Sequence, residues 1–411
     1  MTEQHPRPRE SAFTTVSKGG AVHLVGKLSS SLIGFAISIV VVRYLDRAEY
    51  GLVTLVYSLA GILSILSLLG LKSGIPRYLA HARGLGRAPS LEGVVTPLLL
   101  GVLALSSGLA AMASFQANVV AGWFDKPAFA PVLAVMVWLL PALVCIRFLV
   151  ALFRGKENAK AKVVFEDILY QGARLLLLLG AVFAGLGLSG VVWAYLVSAF
   201  VAAIGFLLFA ARKTPLFRRA RFDWRGAGAL LRFSLPLTGV ELMVRLSSML
   251  PVVCLGLWST AEQIALFNAP LRAGAFISLA MVGLLFLFLP VATRLFAEGL
   301  RHEVDELYQS TTKWIGFVSL PIGLIFLLDG RFLLHTLYGP EYAEGWPVLA
   351  VLAAGLLLHN FLGINGNAMV AMGQPSAYSG PYNVCRKNSP SSNKTKPMGR
   401  ERKLIHLVVL W

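Results

Sequence analysis

The sequence predicts an all-α polytopic membrane protein with about ten transmembrane helices, arranged as two parallel-repeat bundles: six helices, then an incomplete four. Three observations carry that reading. Ten apolar segments lie between about Lys18 and Met372, and a helix needs roughly 20 mostly apolar residues to cross a ~30 Å hydrocarbon core. Hydrophobic residues make up 56% of the chain and charged ones 14%, against about 25% charged in an ordinary soluble domain. Lys and Arg alternate between rich and poor connections, which fixes the side on which each connection lies.

The segments are about 19–42, 50–71, 92–115, 128–152, 165–186, 189–211, 229–257, 264–297, 313–329 and 346–372. The first follows a polar stretch and has no small-residue cleavage site behind a short apolar core, so it is an uncleaved span. The N-terminal stretch and the connections after even-numbered segments hold twenty Lys and Arg; the other connections hold only Arg43, Arg47, Lys126 and Arg331. This puts the N-terminus in the cytoplasm. Arg43 and Arg47 stand beside Asp46 and Glu49, which make their loop locally neutral. The net charge of +17 belongs to the basic loops, so it is no argument for nucleic acid.

The chain also matches itself. Residues 45–51, before segment two, fall on 258–264, before segment eight, at an offset of 213, with Glu49 on Glu262 and Gly61 on Gly274. Residues 151–156, after segment four, fall on 369–374, after segment ten, at an offset of 218. Two homologous six-span halves follow, and six being even, both share one orientation. The expected organisation is a cytoplasmic segment 1–18, a six-helix bundle 19–211, a basic linker 212–228, an incomplete four-helix bundle 229–378 and a polar basic tail 379–411. The tail is either a natural cytosolic extension or out-of-frame translation that removed two spans. The frameshift is the expectation, because unpaired half-repeats leave the second bundle open to lipid.

Several stretches together resemble a known family. They are Arg43-Tyr-Leu-Asp-Arg-Ala-Glu-Tyr-Gly-Leu52, Gly70-Leu-Lys-Ser-Gly-Ile-Pro-Arg-Tyr78 and Leu152-Phe-Arg-Gly-Lys156 in the first half. In the second they are Phe233-Ser-Leu-Pro-Leu237, Tyr338-Gly-Pro-Glu-Tyr-Ala-Glu-Gly345 and Ala371-Met-Gly373. In order and spacing, over roughly residues 18–379, the chain resembles the Wzx-type polysaccharide exporters of the multidrug/oligosaccharidyl-lipid/polysaccharide (MOP) superfamily. The resemblance implies two bundles around a cavity that opens alternately inward and outward. It also implies flipping of a polyprenyl-pyrophosphate-linked oligosaccharide to the outer leaflet of a bacterial or archaeal inner membrane, for lipopolysaccharide or exopolysaccharide synthesis. The implied partners are that lipid-linked substrate, the bilayer and polysaccharide-assembly proteins. Leu250-Pro251 stand where the family often has an acidic or polar residue in span seven, and spans eleven and twelve are absent. A cation-coupled multidrug exporter of the same superfamily and an inactive truncated product are the alternatives.

Charges at membrane depth cost at least a few kcal/mol and usually face the protein interior or a water-filled cavity. Here cations outnumber anions: Lys27, Arg147, Arg174, Arg245 and Arg272 against Glu241. A pyrophosphate crossing the bilayer loses hydration that Lys or Arg can replace with charge-assisted hydrogen bonds. Lys27 and Arg272, without an obvious local partner, lead the substrate-binding candidates, followed by Arg245, Arg147 and Arg77. Glu241 and Arg245 are spaced i, i+4, as an ion pair or a coupling site. Arg174, i+7 from Asp167 and i+4 from Tyr170, reads as snorkelling or locally paired. Prolines in or at the ends of spans, such as Pro251 and Pro270, serve as hinges or static kinks.

Other signals fail their context. Gly185-Leu-Gly-Leu-Ser-Gly190 matches GxGxxG but joins two spans with no preceding strand, so the dinucleotide reading fails. The seven histidines form no HxxxH pair or His/Cys cluster, and Cys145, Cys254 and Cys385 lie far apart; no metal site, cofactor or disulfide framework is indicated. No external loop is large enough to carry catalytic groups, so an enzyme is not expected.

Overall fold

The computed structural model describes residues 8–84, 93–156, 158–213 and 222–362, and every regular element among them is helical. The 379–411 tail and the 369–374 match lie outside the described residues. Segment one is α1 (Pro8–Tyr44). Asp46 caps α2 (Arg47–Leu68), and the Glu49 carboxylate accepts the Asp46 N–H at 3.3 Å, a capping box. Gly70, at φ +73°, then turns the chain into α3 (Leu71–Gly84), a left-handed conformation that favours glycine. There follow α4 (Val95–Phe115), α5 (Ala117–Trp123), α6 (Phe129–Met136) and α7 (Leu139–Gly155), with α6 and α7 bent by 40°. Next come α8 (Ala159–Lys162), a π-helical turn (Val163–Leu169), α9 (Tyr170–Phe183) and α10 (Gly187–Lys213). The second half holds α11 (Trp224–Trp258), α12 (Ala261–Gly274), a 3₁₀ turn (Ala275–Ser278), α13 (Leu279–Ala297) and α14 (Arg301–Leu328). It continues with α15 (Gly330–Tyr338), a 3₁₀ turn (Pro340–Gly345) and α16 (Trp346–Leu362).

Among the described residues seven helices are long and apolar enough to cross a membrane, or eight if α6 and α7 form one bent span. Segments five and eight are helical too, but each is broken, by the π turn and by the 3₁₀ turn after Gly274. The π turn matters for the site: its wider ring re-phases the helix, so Asp167 and Arg174 no longer share a face at i, i+7. Asp167 instead takes Lys162 at 3.2 Å.

The chain divides into two compact units, one comprising residues up to Ala273 with Gly330–Leu349, the other Gly274–Asp329 with the chain from Ala350 onwards. The centre of the first is α7, whose Leu139, Leu140, Phe148 and Leu149 are fully buried. Glycines let other helices of this unit approach closely. A Cβ on Gly51 of α2 would strike the Ala261 carbonyl of α12, and one on Gly74 of α3 the Ser234 side chain of α11. The two sequence segments that match at offset 213 therefore meet at their helix starts. The first is capped by Asp46; in the second, Thr260 Oγ1 accepts the Gln263 N–H at 3.4 Å.

Apolar side chains also cover the outside: Leu100, Leu105 and Met112 on α4, and Val240, Val244 and Leu250 on α11, are all exposed. A water-soluble monomer does not tolerate apolar surface on this scale, whereas lipid does. Phe115, Trp123, Phe183 and Trp258, all exposed, stand at the helix ends on the side of the α1–α2 turn, where interfacial aromatics belong. In the second unit, Phe288 and Ala292 of α13 pack on Ile315 of α14. Gly323 and Gly316 admit Leu357 and Phe361 of α16, and Asn360 Nδ2 donates to the Ile277 carbonyl at 3.2 Å.

Candidate functional site

Within the first unit, polar residues at helical spacing on five helices converge on one cavity. Its walls are Gly34 and Ser38 of α1; Tyr50, Thr54, Tyr57 and Ser58 of α2; Gln171 and Arg174 of α9; Tyr195 of α10; and Asn268 and Arg272 of α12. Spacings of i, i+3, i, i+4 and i, i+7 keep the residues of one helix on a single face. The cavity measures about 130 Å³, room for several waters. Among the described residues its lining contains two arginines and no carboxylate.

Arg174 organises one wall. It is only 6% exposed, and its guanidinium carbon lies 4.9 Å from the Tyr195 ring centroid, 5.0 Å from that of Tyr170 and 6.0 Å from that of Tyr57. Tyr57 and Tyr195 meet edge-on at 5.9 Å. One terminal nitrogen donates to Gln171 Oε1, while Nε has no partner among the described residues. Desolvating such a cation costs several kcal/mol. Each well-placed ring returns about 0.5–2 kcal/mol, so the cage sustains the charge without neutralising it. The charges of Arg174, Arg147 and Arg272 all bear on Tyr57.

The sequence candidates fall into three places. Arg272 lines the cavity. Arg147, half-buried on α7, donates to Ser64 Oγ of α2 and interacts electrostatically with Arg245 and Glu166. Lys72 joins that group, bearing on Arg147, Arg245 and Glu241. Lys27 on α1 and Arg77 on α3 are exposed and outside the cavity lining. Glu241 accepts the Ser73 hydroxyl, and among the described residues no ion pair joins it to Arg245. The residues the sequence did not single out are Tyr57, Tyr195, Gln171 and Asn268, together with Arg174 in its caged role. One signal was present: Tyr170, Gln171 and Arg174 share a helix face at i, i+1 and i+4. Among the described residues no group of three His, Cys, Asp or Glu could hold a metal ion.

Residues 16–296 match the family described as "Polysaccharide biosynthesis protein", more than half of the chain. The chain belongs to that family. Its fold is that of the transporters it resembles. One is a multidrug resistance MATE family transporter of the MOP superfamily in an inward-facing conformation, with TM-score 0.67 and 15% identity over 87% of this chain and 86% of that one. Another is a MOP superfamily transporter from Pyrococcus furiosus described as having a binding pocket of reverse polarity (TM-score 0.61, 16% identity, 89% and 83% covered). A third is a variant Vibrio cholerae MATE transporter (0.60, 14%, 90% and 85%). No curated protein matches the chain. This member of the polysaccharide biosynthesis family is thus a multi-pass membrane protein with a transporter fold.

Proposed function

We propose that this protein flips a polyprenyl-pyrophosphate-linked oligosaccharide from the inner to the outer leaflet by alternating access, with its N-terminus in the cytoplasm of a bacterial or archaeal cell. The observation that carries this reading is the cavity with Arg174 and Arg272 in its lining and, among the described residues, no carboxylate. Such a wall suits an anion that must shed water in crossing, because guanidinium forks replace hydration with charge-assisted hydrogen bonds. A cavity of about 130 Å³ suits a diphosphate headgroup, and the sugars occupy space beyond it. Three tyrosine rings hold the Arg174 guanidinium at the cavity wall.

A cation-coupled drug exporter needs an embedded acid open to the ion path. Glu241 is the candidate the sequence offers, and its carboxylate takes the Ser73 hydroxyl. The test is genetic. Deletion should remove lipid-linked glycan from the outer leaflet, and the intact gene should restore it while an Arg174→Gln/Arg272→Gln double variant should not. Unchanged surface glycan together with lost drug resistance would favour the exporter.

A further inference from the structure

Three of the four cations on the sparsely charged side reach from the first half of the chain to the second. Arg43 Nε donates to the Leu337 carbonyl at 2.9 Å, and its Nη2 to that of Thr336. Arg47 pairs with Glu341 at 3.4 Å and Glu344 at 3.2 Å, and its guanidinium sits 5.9 Å from the Tyr342 ring centroid. Lys126 Nζ donates to the carbonyls of Gly256 at 2.6 Å and Ser259 at 2.7 Å.

Behind Arg43 and Arg47 lies an aromatic layer. Tyr338 and Tyr342 are each 2% exposed, with ring centroids 6.1 Å apart. The Tyr338 hydroxyl lies 3.3 Å from Ser38 Oγ, and Tyr342 meets Tyr50 edge-on at 6.5 Å. Ser38 and Tyr50 are themselves walls of the cavity. This contact is not a sealed core: Glu341 and Glu344 are 66% and 69% exposed, and both lips share a groove of about 860 Å³.

We propose that the α1–α2 turn and the turn after α15 form the outer gate of this transporter, with Tyr338 and Tyr342 as its plug and Arg43 and Arg47 as its bolts. The gate rests on the alternating-access reading and on the cytoplasmic N-terminus, and it explains why cations persist where topology disfavours them. Its bolts are charged, and the side chains of Glu341 and Glu344 are largely exposed, so water can replace their ion pairs when the lips part. Contacts of this kind are the material of two-state switches.

The test reads accessibility and needs no glycan. Thr54 lines the cavity behind the plug. With Cys145, Cys254 and Cys385 replaced by Ala, Thr54→Cys is labelled from outside by a membrane-impermeant maleimide in right-side-out vesicles. Arg43→Gln/Arg47→Gln should raise the labelling rate about tenfold, as loss of charge-assisted bonds implies. Raising salt from about 0.1 M to about 1 M, which cuts the screening length from about 10 Å to about 3 Å, should raise it in the parent. Arg47→Glu combined with Glu341→Arg and Glu344→Arg should lower it again. Labelling that ignores both the neutralised pair and salt, in protein that elutes as a folded monodisperse species, overturns the gate. Failed glycan flipping with this labelling pattern intact would overturn the substrate reading and leave the gate standing.

Discussion

Replacing Arg174 separates binding from folding. Its guanidinium lies within 6.0 Å of three tyrosine ring centroids, and its Nε has no partner among the described residues. Each charge-assisted hydrogen bond to a phosphate contributes about 1.5–3 kcal/mol net. Loss of one such bond therefore weakens binding roughly 10- to 150-fold, at tenfold per 1.4 kcal/mol. Arg174→Lys keeps the charge and loses the fork, so its affinity should fall between those of the parent and Arg174→Gln. Stability should behave differently. The rings return about 0.5–2 kcal/mol each, which roughly offsets the several kcal/mol of desolvation. Arg174→Met should therefore melt within about 1.5 kcal/mol of the parent, since the regained desolvation of the cation roughly cancels the lost ring contacts. The assay is titration calorimetry of detergent-solubilised protein with a short-chain polyprenyl pyrophosphate, paired with thermal melts and an Arg331→Gln control outside the cavity. Unchanged affinity in Arg174→Gln, or a melting loss above about 3 kcal/mol in Arg174→Met, beyond the near-balance of those two effects, would refute the reasoning and make the cage purely structural.

Other substitutions test the packing. Gly51→Val drives a side chain into the Ala261 carbonyl and should cost about 1–3 kcal/mol by thermal melt, as overpacking does. Gly108→Ala on the exposed face of α4 meets nothing within 4 Å and should stabilise by about 0.5–1 kcal/mol through helix propensity. Lys126→Met removes bonds to Phe124, Gly256 and Ser259, and hydrogen exchange at the C-terminal turn of α11 should accelerate. A hydrogen bond from Thr260 holds the Glu262 carboxyl below its ordinary pKa. Its contribution is therefore present above the ordinary carboxylate range and lost as pH falls through the lowered value. Glu262→Gln should flatten that acid limb in a stability–pH profile, and an unchanged limb would show that the carboxyl is uncoupled from folding.

The helical membrane architecture was legible because span length and loop charge are local properties of the chain. The site was less so. Arg272 could be picked out because nothing near it in sequence neutralises it, and it does line the cavity. Arg174 looked locally satisfied because its spacing from Asp167 suits an unbroken α-helix. The π turn at Val163–Leu169 breaks that phase, and Lys162 takes the aspartate. Tyr57, Tyr195 and Asn268 are common residues on apolar helices, and only tertiary packing reveals that they face one cavity. Arg43 and Arg47 looked like exceptions to a topology rule because their partners, Leu337 and Glu341, lie some three hundred residues away.

The central claim is that the cationic cavity moves an anionic lipid-linked glycan between leaflets. The most direct measurement reconstitutes the full chain in liposomes carrying fluorescent polyprenyl-pyrophosphate oligosaccharide and follows quenching by a membrane-impermeant reductant. The account expects protein-dependent quenching of the inner-leaflet pool, abolished in Arg174→Gln/Arg272→Gln and retained in Arg331→Gln. Quenching that proceeds equally in the double variant, or that is absent from the parent while a cationic dye is moved instead, would contradict it.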